Sequence, residues 1–370
     1  MTWTPERPYN GLPLVPPGVE LETPLVLKAV IEARSVLAAL DQAASRMTNP
    51  AVLINTIPLL EAQASSEIEN IVTTTDELFR HAADEAASAS ADTKETLRYR
   101  TALLAGIESI RRRPMSVTTA LEICSQIHRR DMRIRDLPGT IIASPLTRQA
   151  IYTPPEGEPV LRALLSNWAD FVHTARSLDP LVRMAVAHYQ FEAIHPFTDG
   201  NGRTGRILNI LMLVDSGVLR QPILYLSRGI IERKDEYYSL LLDVTRSGAW
   251  ESWLIFVLEV VRDTAAATLA KIDAVDAVQA SARSLARATS AGANSDLLDV
   301  LFEQPYCRIA NVVDRCGVTR QTAAKWLGEL ADRGVVRDVR IGRERLFINE
   351  KFLLVLTRDE NASIGDATLF

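Results

Sequence analysis

Cysteine is scarce in this chain: Cys124, Cys307 and Cys316 are the three in 370 residues, with no C-x-x-C pair among them. An odd number at these spacings argues against a disulfide framework and a cysteine-built zinc site, so three reduced thiols are expected. Aromatic residues are few, at 6%. Neither sign of charge dominates, with 41 basic and 46 acidic residues and a net charge of −5. Without an overall basic field, any nucleic-acid contact has to come from a local patch. No uninterrupted apolar run approaches the roughly 20 residues that span a bilayer. The first residues also lack the basic start and apolar stretch of a secretory signal. A cytoplasmic protein without a membrane partner is expected. The rest of the composition, 47% apolar and 24% charged, suits two or three globular domains.

Helical periodicity fills most of the chain. After an arm rich in Pro and Gly over the first 20 residues, apolar residues recur at helical spacing from Pro24 to about Ala44. One or two further helices are predicted over Pro50 to Phe79. His81 to Thr93 is either a loop or a poorly packed helix. Periodicity resumes at Leu97 and again over Val117 to Ile127. Between Leu137 and Gly157, β-branched and aromatic residues (Ile141, Ile142, Ile151, Tyr152) sit among Pro and Gly, the pattern of a hairpin. Long helices follow at Val160–His173, Leu181–Ile194, Arg203–Ser216, Glu232–Val244 and Trp250–Thr268. The Leu181–Ile194 helix is apolar on nearly every face and should be central. An Ala-rich helical stretch then ends in a linker near Ala288–Ser295.

The last 75 residues read differently. A short helix over Arg308–Arg315, a turn at Cys316–Val318 and a second helix capped by Thr319 precede alternating strands folded at Ile341–Gly342. That order predicts a winged helix-turn-helix. Cys307 to Leu346 holds nine basic against five acidic residues, net +4. Thr319, Arg320, Gln321 and Lys325 start the would-be recognition helix, and Arg340, Arg343 and Arg345 lie on the wing. These are candidate DNA contacts. Winged helices also serve as protein-interaction modules, so a DNA or a protein partner is left open.

The stretch His195-Pro-Phe-Thr-Asp-Gly-Asn-Gly-Arg-Thr-Gly-Arg206 carries the chemistry. It joins the buried helix to an amphipathic one. Gly200 and Gly202 let the backbone bend and approach a ligand, and the loop feeds a helix N-terminus that favours an anion. Arg203 and Arg206 are three apart on that helix, so both guanidiniums could reach one polyphosphate. Asp199 offers a hard oxygen to Mg²⁺, and His195 can exchange a proton near neutral pH. The spacing Gly200-x-Gly202-x-x-Gly205 formally matches a dinucleotide fingerprint, but that motif follows a strand and this one follows a helix. A P-loop would need Lys-Ser/Thr after Gly205, where the chain has Arg206-Ile207.

At these positions the sequence resembles the Fic family, whose signature H-x-F-x-D/E-G-N-G-R-x-x-R is met by His195, Phe197, Asp199, Gly200, Asn201, Gly202, Arg203 and Arg206. The resemblance runs from Tyr9-Asn-Gly-Leu-Pro to Trp253 and includes Leu224–Ser227 and Tyr237-Tyr238. It implies a protein adenylyltransferase that moves AMP from ATP, with Mg²⁺, onto a Ser, Thr or Tyr hydroxyl of a target protein or of itself. By that resemblance His195 is the general base and Asp199 the metal ligand. Gly200, Asn201, Gly202, Arg203, Thr204, Gly205 and Arg206 cradle ATP, with Asn201 on the equatorial oxygens, and Tyr238 lies by the adenine. Gln149, Ala150, Ile151 and Tyr152 form the flap that aligns the target as an added strand. Glycine at position 202, where some relatives carry Lys and phosphorylate instead, leaves room for the adenylylating orientation.

Upstream, Ser65-Ser66-Glu67-Ile68-Glu69-Asn70 is similar to the family's inhibitory motif S/T-x-x-x-E-G/N, with Ser65, Glu69 and Asn70 matching. Ser65 and Glu69 are i and i+4 on one helix face. The resemblance implies that Glu69 engages Arg206 and obstructs productive ATP binding. The expected architecture is mainly α: a Fic/Doc-type helical core with a β-hairpin flap, a helical N-terminal extension and a C-terminal winged helix. Its expected parts are 1–100 (N-terminal region with the inhibitory motif), 101–265 (catalytic core), 266–294 (helical linker) and 295–357 (winged helix). Two other functions stay open: a transcription regulator with a nucleotide-sensing Fic-like domain, and an enzyme that removes AMP. A homodimer is a further open expectation. His188, seven residues before His195, either supports the loop or is a satisfied core histidine. His81, His128 and His173 show no pattern.

Overall fold

A computed structural model describes residues 3–47, 49–82, 89–144, 147–292, 294–341 and 344–358. Part of the segment expected as a loop or helix over 81–93, and Arg343 on the expected wing, lie outside the described residues. The N-terminal arm is extended as its Pro and Gly content predicts. Val15 straps it down: its N–H donates to Asn167 Oδ1 and its carbonyl accepts from Asn167 Nδ2, each at 2.9 Å.

The first helix, α1 (Pro24–Arg46), starts where Thr23 Oγ1 accepts from the Val26 N–H and Pro24 occupies the first turn. It buries Val26, Val30, Ala33, Leu37 and Leu40 in a single stripe, each large side chain contributing roughly 1.5–3 kcal/mol on burial. Next come α2 (Ala51–Ile68), α3 (Thr75–Ala82), α4 (Ala91–Arg112) and α5 (Val117–His128). Ser90 caps α4, its Oγ accepting from the Thr93 N–H, and a Ser116–Thr119 capping box starts α5. The flap is short: β1 (Ile142–Ala143) pairs antiparallel with β2 (Ala150–Tyr152), Ile142 opposite Tyr152 and Ala143 opposite Ala150.

After the flap come α6 (Glu158–Thr174), α7 (Pro180–Ile194) and α8 (Asn201–Asp215). As its all-round apolarity predicts, α7 is central and packs against α6, α8 and α11. The short α9 (Leu226–Glu232), absent from the periodicity reading, precedes α10 (Lys234–Ser247). The expected helix from Trp250 and the Ala-rich stretch behind it are one 37-residue helix, α11 (Trp250–Ala286). It backs α1 and α7 with large side chains from its first half, and its alanine-rich second half still buries Lys271, Ile272, Val275, Ala282 and Ala286. Among the described residues, no helix is long and apolar enough to cross a membrane.

Beyond the linker, α12 (Ser295–Glu303) and β3 (Tyr306–Arg308) precede α13 (Ile309–Cys316) and α14 (Arg320–Asp332). The hairpin β4 (Arg337–Ile341) and β5 (Glu344–Ile348) follows, then α15 (Glu350–Thr357). The sheet order is β3-β5-β4, all antiparallel. Helix, turn, helix and hairpin thus appear in the expected order. Sequence reading missed α12, β3 and α15: the helices are short, and β3 finds its partner 40 residues downstream. This segment packs on the rest of the chain. Its α12 touches α2 and α11, and the Tyr306 hydroxyl donates to Asp76. Lys271 Nζ donates to the carbonyls of Val355, Leu356 and Arg358 at 3.4, 3.4 and 3.0 Å, tying α15 to α11.

Candidate active site

The loop between α7 and α8 is built by its own polar side chains. His195 ends α7 in the left-handed conformation, φ 49°, which a residue with a Cβ adopts only when its surroundings enforce it. Asn201 holds the turn closed. Its Oδ1 accepts from the Phe197 N–H at 2.8 Å and its Nδ2 donates to the Phe197 carbonyl at 2.9 Å. Both side-chain polar atoms thus bond to the backbone of Phe197 and clamp the loop. The first intrahelical bond of α8 runs from Thr204 N to Gly200 O. The N–H groups of residues 201–203 precede it at a helix N-terminus, where an anion is favoured.

Two glycines of the loop lie against side chains from other helices. Gly200 has φ +79°, and a Cβ there would come 2.4 Å from His128 Nε2. At Gly202 a Cβ would stand 2.4 Å from Glu69 Oε1 and 3.0 Å from Arg206 Nη1. The Glu69 carboxylate thus lies directly over the backbone at 202.

The two arginines of α8 face different helices. Arg206 is 1% exposed and meets α2: its Nε donates to Ser65 Oγ at 2.8 Å, and its Nη2 donates to Ser65 O at 2.9 Å and Glu69 Oε1 at 2.8 Å. Burial pushes the Glu69 carboxyl up, but the Arg206 charge and hydrogen bond, with Arg203 and His195, hold it below the ordinary carboxylate range. Burial works against the Arg206 charge as well, and Glu69 outweighs it and holds the guanidinium ionised. Asn70, next in the motif, has φ 62°, the left-handed region that Gly and Asn tolerate best. Lys234 Nζ donates to the Ile68 carbonyl at 2.7 Å and closes the end of α2. One helical turn earlier on the same face, buried Glu61 accepts from the Tyr99 hydroxyl at 3.0 Å, the Ser227 N–H at 2.8 Å and the Ser227 hydroxyl.

Arg203 turns the other way and pairs with Glu95 of α4, burying its side chain to 3%. Each guanidinium is thus held by a different carboxylate, Glu95 for Arg203 and Glu69 for Arg206. Asp199 is the exposed carboxylate of the loop, its side chain 62% accessible. Its Oδ1 accepts from the Gly200 N–H at 2.6 Å, and its Oδ2 lies 4.0 Å from His128 Nδ1. No group of three potential protein ligands for a metal occurs among the described residues. A single open carboxylate beside a phosphate cradle nonetheless fits Mg²⁺, which takes one or two carboxylates and completes its shell with phosphates and water.

His195 stands at the start of the loop as its one imidazole. Burial, and then the Arg135 guanidinium, push its imidazole down to about 4, while Glu69, the Glu192 carbonyl and Asp199 oppose them. It is neutral at physiological pH and able to accept a proton. Tyr238 is 44% exposed and stands edge-on to buried Tyr237, ring centroids 5.1 Å apart. Burial, and then the Glu69 charge, push the Tyr238 hydroxyl up to about 12. His188 is a core histidine, its Nε2 2.9 Å from the Tyr237 hydroxyl. In the flap, Gln149 O accepts from Ser144 N at 2.9 Å, and Ile151 is 37% exposed. Tyr152 points inward and donates to the Ala193 carbonyl at 2.8 Å, making it an anchor rather than a docking side chain. Thr319, Arg320, Gln321 and Lys325 form a separate exposed group at the start of α14.

Sequence reading missed Glu61, Glu95, His128 and Arg135. Only Glu61 carried a signal, since it extends the i, i+4 series of Ser65 and Glu69. His128 offered no motif, yet it packs beside Gly200 and Asp199.

A buried central helix, a short flap and a glycine-rich helix N-terminus behind a histidine define a Fic-type core. Family profiles agree: Fic/DOC family N-terminal over residues 27–108, Fic/DOC family over 114–213, and the C-terminal domain of SoFic-like protein adenylyltransferases over 278–352. The chain belongs to the Fic/DOC family. It is 40% identical over 92 residues to protein adenylyltransferase fic-1 of Caenorhabditis briggsae, covering 24% of this chain and 17% of that one. It is 41% identical over 66 residues to a probable protein adenylyltransferase of Aquifex aeolicus, covering 18% of this chain and 20% of that one. The chain thus spans at most a fifth of these relatives' length. A Fic family protein from Desulfovibrio desulfuricans has the same fold, with TM-score 0.54 at 21% identity over 88% of this chain and 96% of that one. A Fic domain-containing signaling protein from Bacteroides thetaiotaomicron gives TM-score 0.51 at 17% identity, over 67% and 95%.

Proposed function

We propose that the chain is a protein adenylyltransferase restrained by its own Glu69. The observation that carries the reading is the neutral His195 set beside an anion-favouring helix N-terminus whose Arg206 is occupied by a carboxylate from α2. In the reaction, His195 accepts the proton of a target Ser, Thr or Tyr hydroxyl. That oxygen forms a bond to the α-phosphorus of ATP, and the bond to pyrophosphate breaks. The N–H groups of residues 201–203 face the developing charge, and Asn201 keeps them in place. Arg206 binds the terminal phosphates once Glu69 has left it. Mg²⁺ held by Asp199 would neutralise phosphate charge when bound. Tyr238 borders the adenine side, and the exposed edge at Gln149–Ile151 receives the target segment.

Residues 1–100 are the regulatory extension, 101–265 the catalytic core, 266–294 the linker and 295–357 a winged helix. For that last part, the exposed start of α14 supports weak, salt-sensitive binding of duplex DNA. Its field is thinned by ion pairs, Lys325 with Glu329 at 3.8 Å and Arg345 with Asp338. A mobility shift that weakens with salt supports this second reading, and no shift with any duplex assigns the module to protein contacts.

The enzyme reading is tested by incubating the chain with labelled ATP and host lysate, with and without Mg²⁺, and mapping modified peptides by mass spectrometry. AMP on hydroxyl side chains is expected, and its absence under every condition rejects the reading.

A further inference from the structure

Arg135 lies in the segment between α5 and the flap, outside the signature loop, and is 3% exposed. Its guanidinium is committed to backbone carbonyls. The Nε donates to His195 O at 2.8 Å and Nη2 to Ile194 O at 3.2 Å and to Pro155 O. Its own N–H donates to Pro196 O at 2.9 Å. The Tyr152 hydroxyl takes the next carbonyl back, Ala193 O. The last carbonyls of α7 and the left-handed residue that ends it are therefore satisfied by two side chains, one from each side of the flap. Helix-end carbonyls with no intrahelical partner need such donors, and a forked donor can serve several at fixed angles. Pro155, the third carbonyl held by Arg135, lies three residues beyond the end of β2.

We propose that Arg135 is a positioning residue that couples target docking on the flap to the placement of His195, because one guanidinium holds both the flap's root and the left-handed turn. The inference rests on the adenylyltransferase reading and adds to it the route by which a bound target sets the base. Displacement of the flap root moves Pro155, and with it the fork that holds the His195 carbonyl. The same positive charge faces the imidazole and disfavours its protonation. The other groups acting on the ring are Glu69 from α2, Asp199 from the loop and the Glu192 carbonyl of α7, all of which favour protonation.

The test uses the full chain carrying Glu69→Gly, so that transfer is measurable, with Arg135→Lys, Arg135→Met or Tyr152→Phe added. A lysine keeps the charge but cannot fork across three carbonyls, and methionine loses both. In Arg135→Met, KM for a target peptide should rise and kcat fall by a combined factor of about 10–100, the scale of a misplaced catalytic group. Affinity for a non-hydrolysable ATP analogue should stay within about twofold, since no phosphate contact is removed. The His195 ring titration, followed by NMR without nucleotide, should move up in Arg135→Met and stay in place in Arg135→Lys. Tyr152→Phe, which deletes a single hydroxyl, should raise KM without moving the titration. A residue that only stabilises the fold would lower Tm and active fraction while leaving KM and the titration of the folded protein unchanged, and that result overturns the proposal. If Arg135→Met does not fold, unchanged KM in both Arg135→Lys and Tyr152→Phe overturns it equally. The titration and the binding of a flap peptide need no AMP transfer, so a failure of the enzyme reading is seen separately.

Discussion

The two halves of this molecule handle charge in opposite ways. Around the loop after α7, the two arginines are buried and matched, Arg206 by Glu69 and Ser65 and Arg203 by Glu95, and buried Glu61 is held by Tyr99 and Ser227. In the C-terminal module the pairs stand in water, as with Arg345 and Asp338, whose side chains are 38% and 30% exposed, or Lys325 and Glu329, 65% and 30% exposed. A buried pair is costly to break because a lone charge remains without solvent, whereas an exposed pair is screened and contributes little. The first region therefore holds one arrangement until a competing anion arrives. The second presents charges that a partner can recruit without breaking anything.

Loss of the base gives the widest separation between the regions. His195→Ala should lower AMP transfer by about 10²–10⁴-fold and leave ATP binding and Tm nearly unchanged. A variant that transfers at the parent rate would remove His195 from the chemistry. The pH–rate profile sharpens the same point. A base pushed down to about 4 loses activity only as pH falls through that value, not through the ordinary 6.5 of histidine. An acid limb near 6.5 would mean that the buried, Arg135-facing ring does not act as described.

The buried pair can then be compared directly with the exposed one. Glu95→Ala strands Arg203 and should cost about 3–5 kcal/mol in urea unfolding, while Arg345→Ala should cost about 0–1 kcal/mol. Equal costs would erase the distinction. A smaller effect is expected from Glu69→Gly, which should raise transfer about 10- to 100-fold by removing a charge-assisted bond of about 1.5–3 kcal/mol. The Glu69 side chain is 34% exposed, which places the gain toward the lower end. Adding Arg206→Ala should abolish the gain, because the guanidinium is then missing for carboxylate and phosphate alike.

Legibility in the sequence follows the same division. The ordered letters from His195 to Arg206 made the loop readable, because each residue type there answers a local demand: a turn, a close approach, a helix start. Ser65, Glu69 and Asn70 were readable for a similar reason, as a helix face and a left-handed cap lie within six residues. Glu95, His128 and Arg135 were not, since each acts across 60 to 108 residues of chain where it meets the loop or its arginine. No local pattern encodes such partners. Arg203 shows both sides: its spacing from Arg206 is local and readable, whereas its pairing with Glu95 of α4 is not. Strand β3 and helix α12 were missed likewise, the strand because its partner β5 is remote and the helix because it is too short for its period to register.

The central claim is adenylyl transfer by His195 from a site that Glu69 restrains. Its most direct test compares α-labelled with γ-labelled ATP on the Glu69→Gly chain, with Glu69→Gly, His195→Ala as control. The account predicts protein-bound label from the α-phosphate alone, retained through denaturing washes and absent from the control. Label arriving from the γ-phosphate, or α-label that persists without His195, would contradict it.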